Sequence, residues 1–168
     1  MRIRFIYVFL CILLTFQTLT GCSHTLPCTA EVLYSMTDAE SGLPAGRIYL
    51  SGASESSENF VPDSLLKAMY GEGKAPAESE GWIEFALFAP SGKHPCEMAV
   101  FLCRDNASSI DTGKMLCRRL DAVKHAWADT KYSACVNDAE VIILENFCIL
   151  IVSSDVEKAK KAATSLIK

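Results

Sequence analysis

The chain has 168 residues, of which 50% are hydrophobic and 21% are charged, and its formal net charge is −4 at pH 7. This length suits one domain with a substantial buried core. The acidic balance predicts no nucleic-acid partner, because a protein that binds phosphates needs an excess of Lys and Arg.

The first 21 residues are typical of an export signal. Arg2 and Arg4 form a positively charged start, and residues 5–14 are an uninterrupted apolar run. This run is too short for a transmembrane helix, which needs about 20 apolar residues, and it fits the central region of a signal peptide. A Leu-Thr-Gly-Cys motif follows at residues 19–22 and resembles the lipobox of bacterial lipoproteins.

By that resemblance, residues 1–21 are a lipoprotein signal peptide that is cut off before Cys22, and the Cys22 sulfur carries a diacylglyceryl group. The new amino terminus is expected to carry a further acyl chain, such as palmitate. Each buried CH₂ contributes about 0.8 kcal/mol, so two or three chains form a stable anchor. The prediction is a protein anchored by lipid on the extracytoplasmic side of the cell membrane. The alternatives are an uncleaved anchor and an ordinary secretory signal.

The mature chain divides into two parts. Residues 22–29 are the lipidated N-terminus and a short tether, and residues 30–168 form a single domain. Loss of Arg2 and Arg4 reduces the 16 basic residues to 14 against 20 acidic ones, which leaves a charge near −6. The domain therefore stays acidic after processing.

Apolar periodicity predicts four helices and five strands in this domain. The helices are short segments after Thr29 and after Pro62, a long segment over 108–127 and a terminal segment after Ser154. The strands cover 47–50, 82–89, 98–103, 139–144 and 147–152. The last two strands are nearly continuous apolar runs separated by Glu145-Asn146, so they are predicted to form a tight hairpin buried on both faces.

Side-chain patterns predict where the helices begin and which of their faces are buried. Ser108 with Asp111, and Ser154 with Glu157, resemble capping boxes that open the last two helices. The residues predicted to face inward in the long helix are Ile110, Gly113, Leu116, Cys117, Leu120, Val123 and Trp127. Those of the terminal helix are Val156, Ala159, Ala163 and Leu166. Residues 72–81 form a linker within the domain. The predicted fold class is α+β, a two-layer mixed β-sheet of about five strands with helices packed against it.

One combination of motifs points to a family. The motifs are Leu65-Leu66 with Met69-Tyr70-Gly71, then Glu97-Met98-Ala99-Val100-Phe101, then Arg118-Arg119-Leu120, an apolar hairpin and a Ser-Asp-x-Glu helix start. Together they resemble the DUF4358 family of small bacterial lipoproteins, from about residue 30 to the C-terminus. Members usually have Gly in the last hairpin turn, where this chain has Glu145-Asn146. The resemblance implies an exported lipoprotein domain and supplies no active site.

Cysteine and histidine usage leaves the site chemistry open. The cysteines of the mature domain besides Cys22 are Cys28, Cys96, Cys103, Cys117, Cys135 and Cys148. An even number in an exported domain permits disulfides, and the sequence does not fix their pairing. The three histidines are scattered, so no metal site and no cofactor are predicted, with a metal at His94 and Cys96 as the minor alternative.

Two pairs of residues are candidates for catalysis. Cys96 has the best claim to a reactive thiol, because His94 lies two residues before it and a nearby imidazole can lower the pKa of a thiol. Glu84 interrupts the apolar run of residues 82–87 and Glu97 opens the next strand, so the two acids can form a pair across a hairpin. Acids at such positions more often have a structural role.

One ion pair is predicted between a strand and the long helix. The chain crosses back over the sheet after strand 98–103, which lays the helix against it. Arg119 lies beside the inward stripe, so its stem packs there and its guanidinium reaches the sheet edge, whereas Arg118 points farther away. Glu97 is the predicted partner of Arg119, and Glu84 is the alternative. The pair is either structural, which is favoured, or a place where Arg119 binds an anionic ligand.

The sequence leaves two functions open. The first is a non-enzymatic binding or accessory module of the cell envelope, whose partner is an envelope protein, a glycan or a small ligand. The second is a thiol-dependent envelope enzyme that uses Cys96 and His94. The first is favoured, because it requires only a shaped surface, whereas catalysis requires convergent groups that the local sequence does not show.

The lipobox leads to a direct prediction. Changing Cys22 to Ser removes the only sulfur that the lipid can be attached to, so the mature domain is expected to be released or the precursor to stay uncut. Membrane fractionation and intact mass measure this outcome, with Cys28→Ser as the matched control that keeps normal processing. A Cys22→Ser protein that stays in the membrane at its normal mature mass would contradict the lipoprotein assignment.

Overall fold

A computed structural model of the chain describes residues 26–167. The helices are α1 (Thr29–Ala39), α2 (Asp63–Tyr70), α3 (Asn106–Trp127), α4 (Ser133–Asn137) and α5 (Val156–Leu166), with a 3₁₀ helix at Ala77–Gly81. The strands are β1 (Gly46–Leu50), β2 (Trp82–Pro90), β3 (Glu97–Cys103), β4 (Glu140–Leu144) and β5 (Phe147–Val152).

The five strands form one sheet in the order β1-β2-β3-β5-β4, and every neighbouring pair is antiparallel. The predicted α+β class and the five strands are confirmed. However, the sheet is entirely antiparallel, whereas the sequence had predicted a mixed sheet. The reason is the last hairpin, because β5 folds back from β4 and inserts between β4 and β3. Two strands that run in the same direction are thereby separated by one that runs the opposite way.

Helices cover both faces of the sheet, so the domain has three layers instead of the predicted two. On one face, α1 and α5 bury Val32, Leu33 and Ala159 against the sheet. On the other face, α3 buries Leu116 and other apolar residues, with α2 and α4 beside it. The central strands therefore bury side chains on both faces. This arrangement explains why β3 and β5 read as nearly continuous apolar runs.

The last hairpin lies where the sequence predicted it, but its two strands are buried to different degrees. All six residues of β5 are buried, since this strand has a neighbour on each side. β4 is an edge strand, so Ile142 is half-buried and Ile143 is 45% exposed. The prediction that both strands are buried on both faces is thus wrong for β4. Glu145 makes the turn with a φ of 51°.

Aspartates cap two helices where the sequence had suggested serines. Asp105 precedes α3, and its carboxylate accepts a hydrogen bond from the backbone N–H of Ser108 at 2.8 Å. Asp155 precedes α5, and its carboxylate accepts from the N–H of Lys158 at 3.3 Å. Each helix therefore begins one residue after an aspartate, and Ser108 lies inside α3. The carboxylate satisfies an N–H group that the first helical turn leaves without a partner.

The helix faces differ from prediction at three positions. Ile110 is 44% exposed and Cys117 is exposed, so the buried stripe of α3 uses Thr112 and Met115 instead. At the C-terminus, Leu166 is 40% exposed and the next residue is buried in its place. The buried face of α3 is thus rotated around the helix axis, away from Ile110 and Cys117 and toward Thr112 and Met115.

Two short helices occupy segments that the sequence did not predict as helical. The 3₁₀ helix Ala77–Gly81 lies within the predicted linker 72–81, and α4 lies between the long helix and β4. Each has five residues, which is too few for a periodic signal. Among residues 26–167, no helix is both long enough and apolar enough to cross a membrane.

The different burial of β4 and β5 can be tested by matched truncations. Leu150→Ala in β5 removes a side chain with no exposed surface and is expected to cost about 2–5 kcal/mol of the free energy of unfolding. Ile143→Ala in β4 is expected to cost under about 1 kcal/mol, because that side chain is partly in solvent. Urea denaturation measures both, and equal losses would contradict this placement of the strands.

Candidate functional site

The strongest polar cluster of the domain joins Glu97 of β3 to Arg119 of α3. Arg119 Nη2 donates to Glu97 Oε2 at 2.6 Å, and Arg119 Nε donates to Oε2 at 3.0 Å and to Oε1 at 3.2 Å. The Glu97 side chain is 4% exposed and that of Arg119 is 26% exposed. This is a bidentate, largely buried ion pair, the geometry in which a guanidinium binds a carboxylate most strongly.

The position of α3 explains why these two residues meet. Leu116 and Leu120 of α3 face the sheet, and Arg119 lies beside them on the helix surface. Glu97 is the first residue of β3 and lies opposite Val152 of β5, so its side chain is near the end of the central strands. The arginine stem packs over apolar residues while its head reaches the carboxylate.

Tyr70 completes the cluster, although no local sequence pattern indicates it as a partner of Glu97. Its hydroxyl donates to Glu97 Oε1 at 3.0 Å, and its ring packs edge-on against Phe101 at 5.5 Å between centroids. Tyr70 is the last residue of α2, so the chain brings it to Glu97 only through tertiary packing. Its place directly before Gly71 signals the end of a helix but does not indicate a contact.

The electrostatics of the cluster keep Tyr70 and Arg119 each in one protonation state. Burial, together with the negative charge of Glu97, raises the pKa of Tyr70 well above its usual value. Burial acts to lower the pKa of Arg119, but the adjacent carboxylate outweighs it and raises that pKa. The tyrosine thus stays a neutral donor and the arginine stays a cation. Such a cluster holds β3, α2 and α3 together.

Arg118, the neighbouring arginine, faces a polar groove on the surface. Its guanidinium donates to Glu78 at 2.6 Å, and its side chain is 56% exposed. Arg118 lines three adjoining clefts with volumes of about 140, 330 and 220 Å³, which together we call the Arg118 groove. Its charged lining residues are Glu72, Lys74, Glu78, Asp111, Lys114, Arg118 and Arg119. The groove lies between the end of α2, residues 71–78 and α3.

His94 and Cys96, the candidates for thiol catalysis, are close but do not form a reactive pair. His94 Nδ1 accepts a hydrogen bond from the backbone N–H of Cys96 at 3.1 Å, so the imidazole is oriented by the backbone. The Cys96 side chain is buried, and its Sγ lies 3.8 Å from Cys135 Sγ. Contact with the second thiol, together with burial, raises the pKa of Cys96. A nucleophilic cysteine requires the opposite shift.

Glu84 does not approach Glu97. Glu84 lies opposite Leu102, near one end of β3, whereas Glu97 begins that strand at the other end. The Glu84 carboxylate accepts the backbone N–H of Thr29 at 2.6 Å. Thr29 is the first residue of α1. The glutamate therefore helps to fix the start of α1, where the helix dipole favours a negative charge.

Two further predictions concern the lipidation site and metal binding. Cys22, the predicted lipidation site, lies outside the described residues. Within residues 26–167, no group of three or more His, Cys, Asp or Glu side chains is placed to hold a metal ion.

Comparisons with models of known protein families, with curated proteins and with solved structures found no match. The resemblance to the DUF4358 family therefore stays a prediction from the sequence motifs. The fold and the placement of the polar groups carry the functional argument.

The Tyr70 hydroxyl gives a prediction that depends on pH. Tyr70→Phe removes a hydrogen bond to a charged group, so it is expected to lower the free energy of unfolding by about 1.5–3 kcal/mol at pH 7. The pKa of Tyr70 is raised in the folded state, so its contribution is fully present below the unfolded value of about 10 and is lost as the pH rises above it.

The gap in stability between wild type and Tyr70→Phe is therefore expected to shrink above about pH 10. Urea denaturation across the pH range measures the gap. Tyr34→Phe is the matched control, because Tyr34 is 42% exposed and its loss is expected to change stability little at any pH. A gap for Tyr70→Phe that stays constant up to pH 11 would show that the hydroxyl does not titrate as described.

Proposed function

We propose that the protein is a lipid-anchored domain on the extracytoplasmic side of the cell membrane that acts as a binding or accessory module of the cell envelope. The anchor is argued from the charged start, the apolar run and the motif at residues 19–22. The binding role is argued from the Arg118 groove. Its partner is an envelope protein, a glycan or a small ligand that presents a negatively charged or strongly polar group.

The observation that carries the binding role is an exposed arginine at the centre of a polar groove. Arg118 makes one ion pair, with Glu78, in which the arginine side chain is 56% exposed and the glutamate side chain is 15% exposed. The exposed side of the guanidinium can therefore bind a carboxylate or phosphate of a partner. The planar guanidinium is suited to this, because it binds such groups with two parallel hydrogen bonds.

The two neighbouring arginines have different roles in this proposal. Arg119 is occupied by Glu97 and fixes the wall of the groove, whereas Arg118 is available to a ligand. The 330 Å³ cleft is at the lower end of the roughly 300–1,000 Å³ range of small-molecule sites. It is open and lined by charged residues, which suits a peptide side chain or a sugar better than an apolar molecule.

The groove also lies on an accessible side of the domain. α3 borders the groove and packs on one face of the sheet, whereas α1 covers the opposite face. α1 is the first element after the predicted tether, so the sheet separates the tethered side of the domain from the groove. A partner can therefore approach the groove without displacing α1.

The geometry favours binding over thiol catalysis. A thiol enzyme needs an accessible cysteine whose thiolate is stabilised by a neighbouring base. Cys96 is 1% exposed, and His94 contacts its backbone instead of its sulfur. An external substrate could reach the Cys96 sulfur only after the surrounding segments open.

The binding role is tested with the full-length protein purified from membranes in detergent. The protein is cross-linked to an envelope extract, and captured partners are quantified by mass spectrometry. Arg118→Ala is expected to reduce capture of the specific partner at least tenfold while leaving the thermal midpoint unchanged, because its side chain is exposed. Lys161→Ala, an exposed change on α5 at the opposite face, is the matched control that keeps capture.

The outcomes separate the possible roles of the groove. Unchanged capture by Arg118→Ala would contradict binding at the groove. Lost capture by Arg119→Ala at unchanged stability would transfer the binding role to Arg119 and remove its structural role.

A further inference from the structure

Two pairs of cysteines have sulfur atoms in contact in the described part of the chain. Cys96 Sγ lies 3.8 Å from Cys135 Sγ, and Cys103 Sγ lies 4.0 Å from Cys148 Sγ. All four are free thiols in this structure. A disulfide has a sulfur–sulfur distance of about 2.05 Å, so either pair would need only a small approach to form one.

The segments that carry Cys96 and Cys135 are held together by more than their sulfurs. Cys96 directly precedes β3, and Cys135 lies in α4. The ring of His94 packs against the ring of Tyr132, with 4.4 Å between centroids, and joins the same two segments. Val136, next to Cys135, is 1% exposed and anchors α4 in the core. The contact between the two thiols is therefore a fixed feature of the fold.

The two thiols differ in access and acidity, as the partners in a disulfide exchange do. Cys135 is partly exposed, whereas Cys96 is buried. The interaction with Cys96 lowers the pKa of Cys135, which favours its thiolate. An oxidant from solution therefore meets Cys135 first, with Cys96 directly behind it.

The Cys103–Cys148 pair has a similar difference in acidity, since contact with Cys148 lowers the pKa of Cys103 to about 6, but neither of its thiols is open to solvent. Cys148 is opposite Phe101, so Cys103 is its diagonal neighbour across the strands. Diagonal neighbours lie about 7–8 Å apart, whereas the Cα atoms of a disulfide usually lie about 4.4–6.8 Å apart. Both thiols are buried.

Both thiols of this second pair also have other partners. Cys103 Sγ donates to Thr112 Oγ1 at 3.4 Å, and Cys148 Sγ donates to the carbonyl oxygen of Ser109 at 3.1 Å. Oxidation would break both hydrogen bonds in the core. This pair is suited to stay reduced.

We propose that Cys96 and Cys135 form an intramolecular disulfide, which fastens α4 to the start of β3. The presence of an oxidising environment rests on the proposed extracytoplasmic location, because disulfides persist outside the cytoplasm. The pairing itself rests on the geometry. Cys103 and Cys148 remain thiols, and the exposed Cys28 and Cys117 take no part in this disulfide.

The oxidation is a pair of thiol–disulfide exchanges with a disulfide oxidant, either oxidised glutathione or a disulfide-exchange protein. The Cys135 thiolate attacks one sulfur of the oxidant, which forms a mixed disulfide and releases the other sulfur as a thiolate. Cys96 then loses its proton and attacks the Cys135 sulfur, which releases the second thiolate. The protein loses two protons and two electrons, and the oxidant disulfide is reduced to two thiols.

The Cys96–Cys135 disulfide would constrain the Arg118 groove as well as stabilise the fold. Cys96 directly precedes Glu97, which holds Arg119 at the wall of the Arg118 groove. α4 follows α3 in the chain and packs on the same face of the sheet. A covalent link between Cys96 and Cys135 therefore fixes the end of β3 that carries the ion pair relative to the segment that follows α3.

The pairing is tested on the purified full-length protein in detergent, treated with oxidised glutathione. Remaining thiols are alkylated, and the peptides are mapped by mass spectrometry. The expected result is a cross-linked peptide that joins Cys96 to Cys135, with Cys103 and Cys148 alkylated after denaturation. Absence of this cross-link, or a cross-link between Cys103 and Cys148 in its place, would overturn the proposal.

Single substitutions sharpen the test. In Cys96→Ser, Cys135 is expected to accumulate as a mixed disulfide with glutathione, because no second thiol can displace it. Cys117→Ser changes an exposed cysteine on α3 that is not part of the pair, and it is expected to leave the cross-link unchanged. Full alkylation of Cys135 in Cys96→Ser would contradict its role as the first thiol to react.

A second arm separates the pairing from the location. Cells that express the full-length chain are quenched with acid, alkylated and mapped in the same way. A cross-link in the cells supports both proposals. A cross-link in the purified protein together with free thiols in the cells upholds the pairing and contradicts the extracytoplasmic location.

Discussion

The arrangement of the domain depends on one buried ion pair, in which Glu97 of β3 is held by Arg119 of α3. β3 is the central strand of the sheet, so its carboxylate sits where an unpaired charge would cost several kcal/mol. α3 must therefore lie where its arginine reaches that carboxylate. Tyr70 brings the end of α2 to the same group. One acid thus fixes two helices on one face of the sheet.

The same constraint shapes the groove proposed for binding. Arg118 follows the orientation of α3 because it is adjacent to the anchored Arg119, and it projects outward where its neighbour projects inward. The structural and binding arginines are therefore one residue apart with separate functions. The proposed link from Cys96 to Cys135 would act on the same region, because Cys96 directly precedes Glu97.

Local sequence patterns were sufficient for the strands, the long helix and the proximity of Glu97 to Arg119, because periodicity and helix phase set all three. They were insufficient wherever partners are distant in the chain. Tyr70 and Cys135 meet their partners only after the layers assemble, and no short-range spacing encodes those contacts. Burial of Ile143 was overestimated for a related reason, since an apolar run does not tell whether its strand lies at the centre or the edge of a sheet.

A double-mutant cycle on Glu97→Gln and Arg119→Met tests the structural role of the pair most directly. Each single change leaves a buried partner without its counter-charge and is expected to lower the free energy of unfolding by about 3 kcal/mol. The loss in the double mutant is expected to be smaller than the sum of the two single losses by about 0.5–3 kcal/mol. The pair of Glu78 and Arg118, whose arginine side chain is 56% exposed, provides the matched cycle, with an expected coupling below about 1 kcal/mol. Strict additivity at Glu97 and Arg119 would show that the pair does not hold α3 to the sheet.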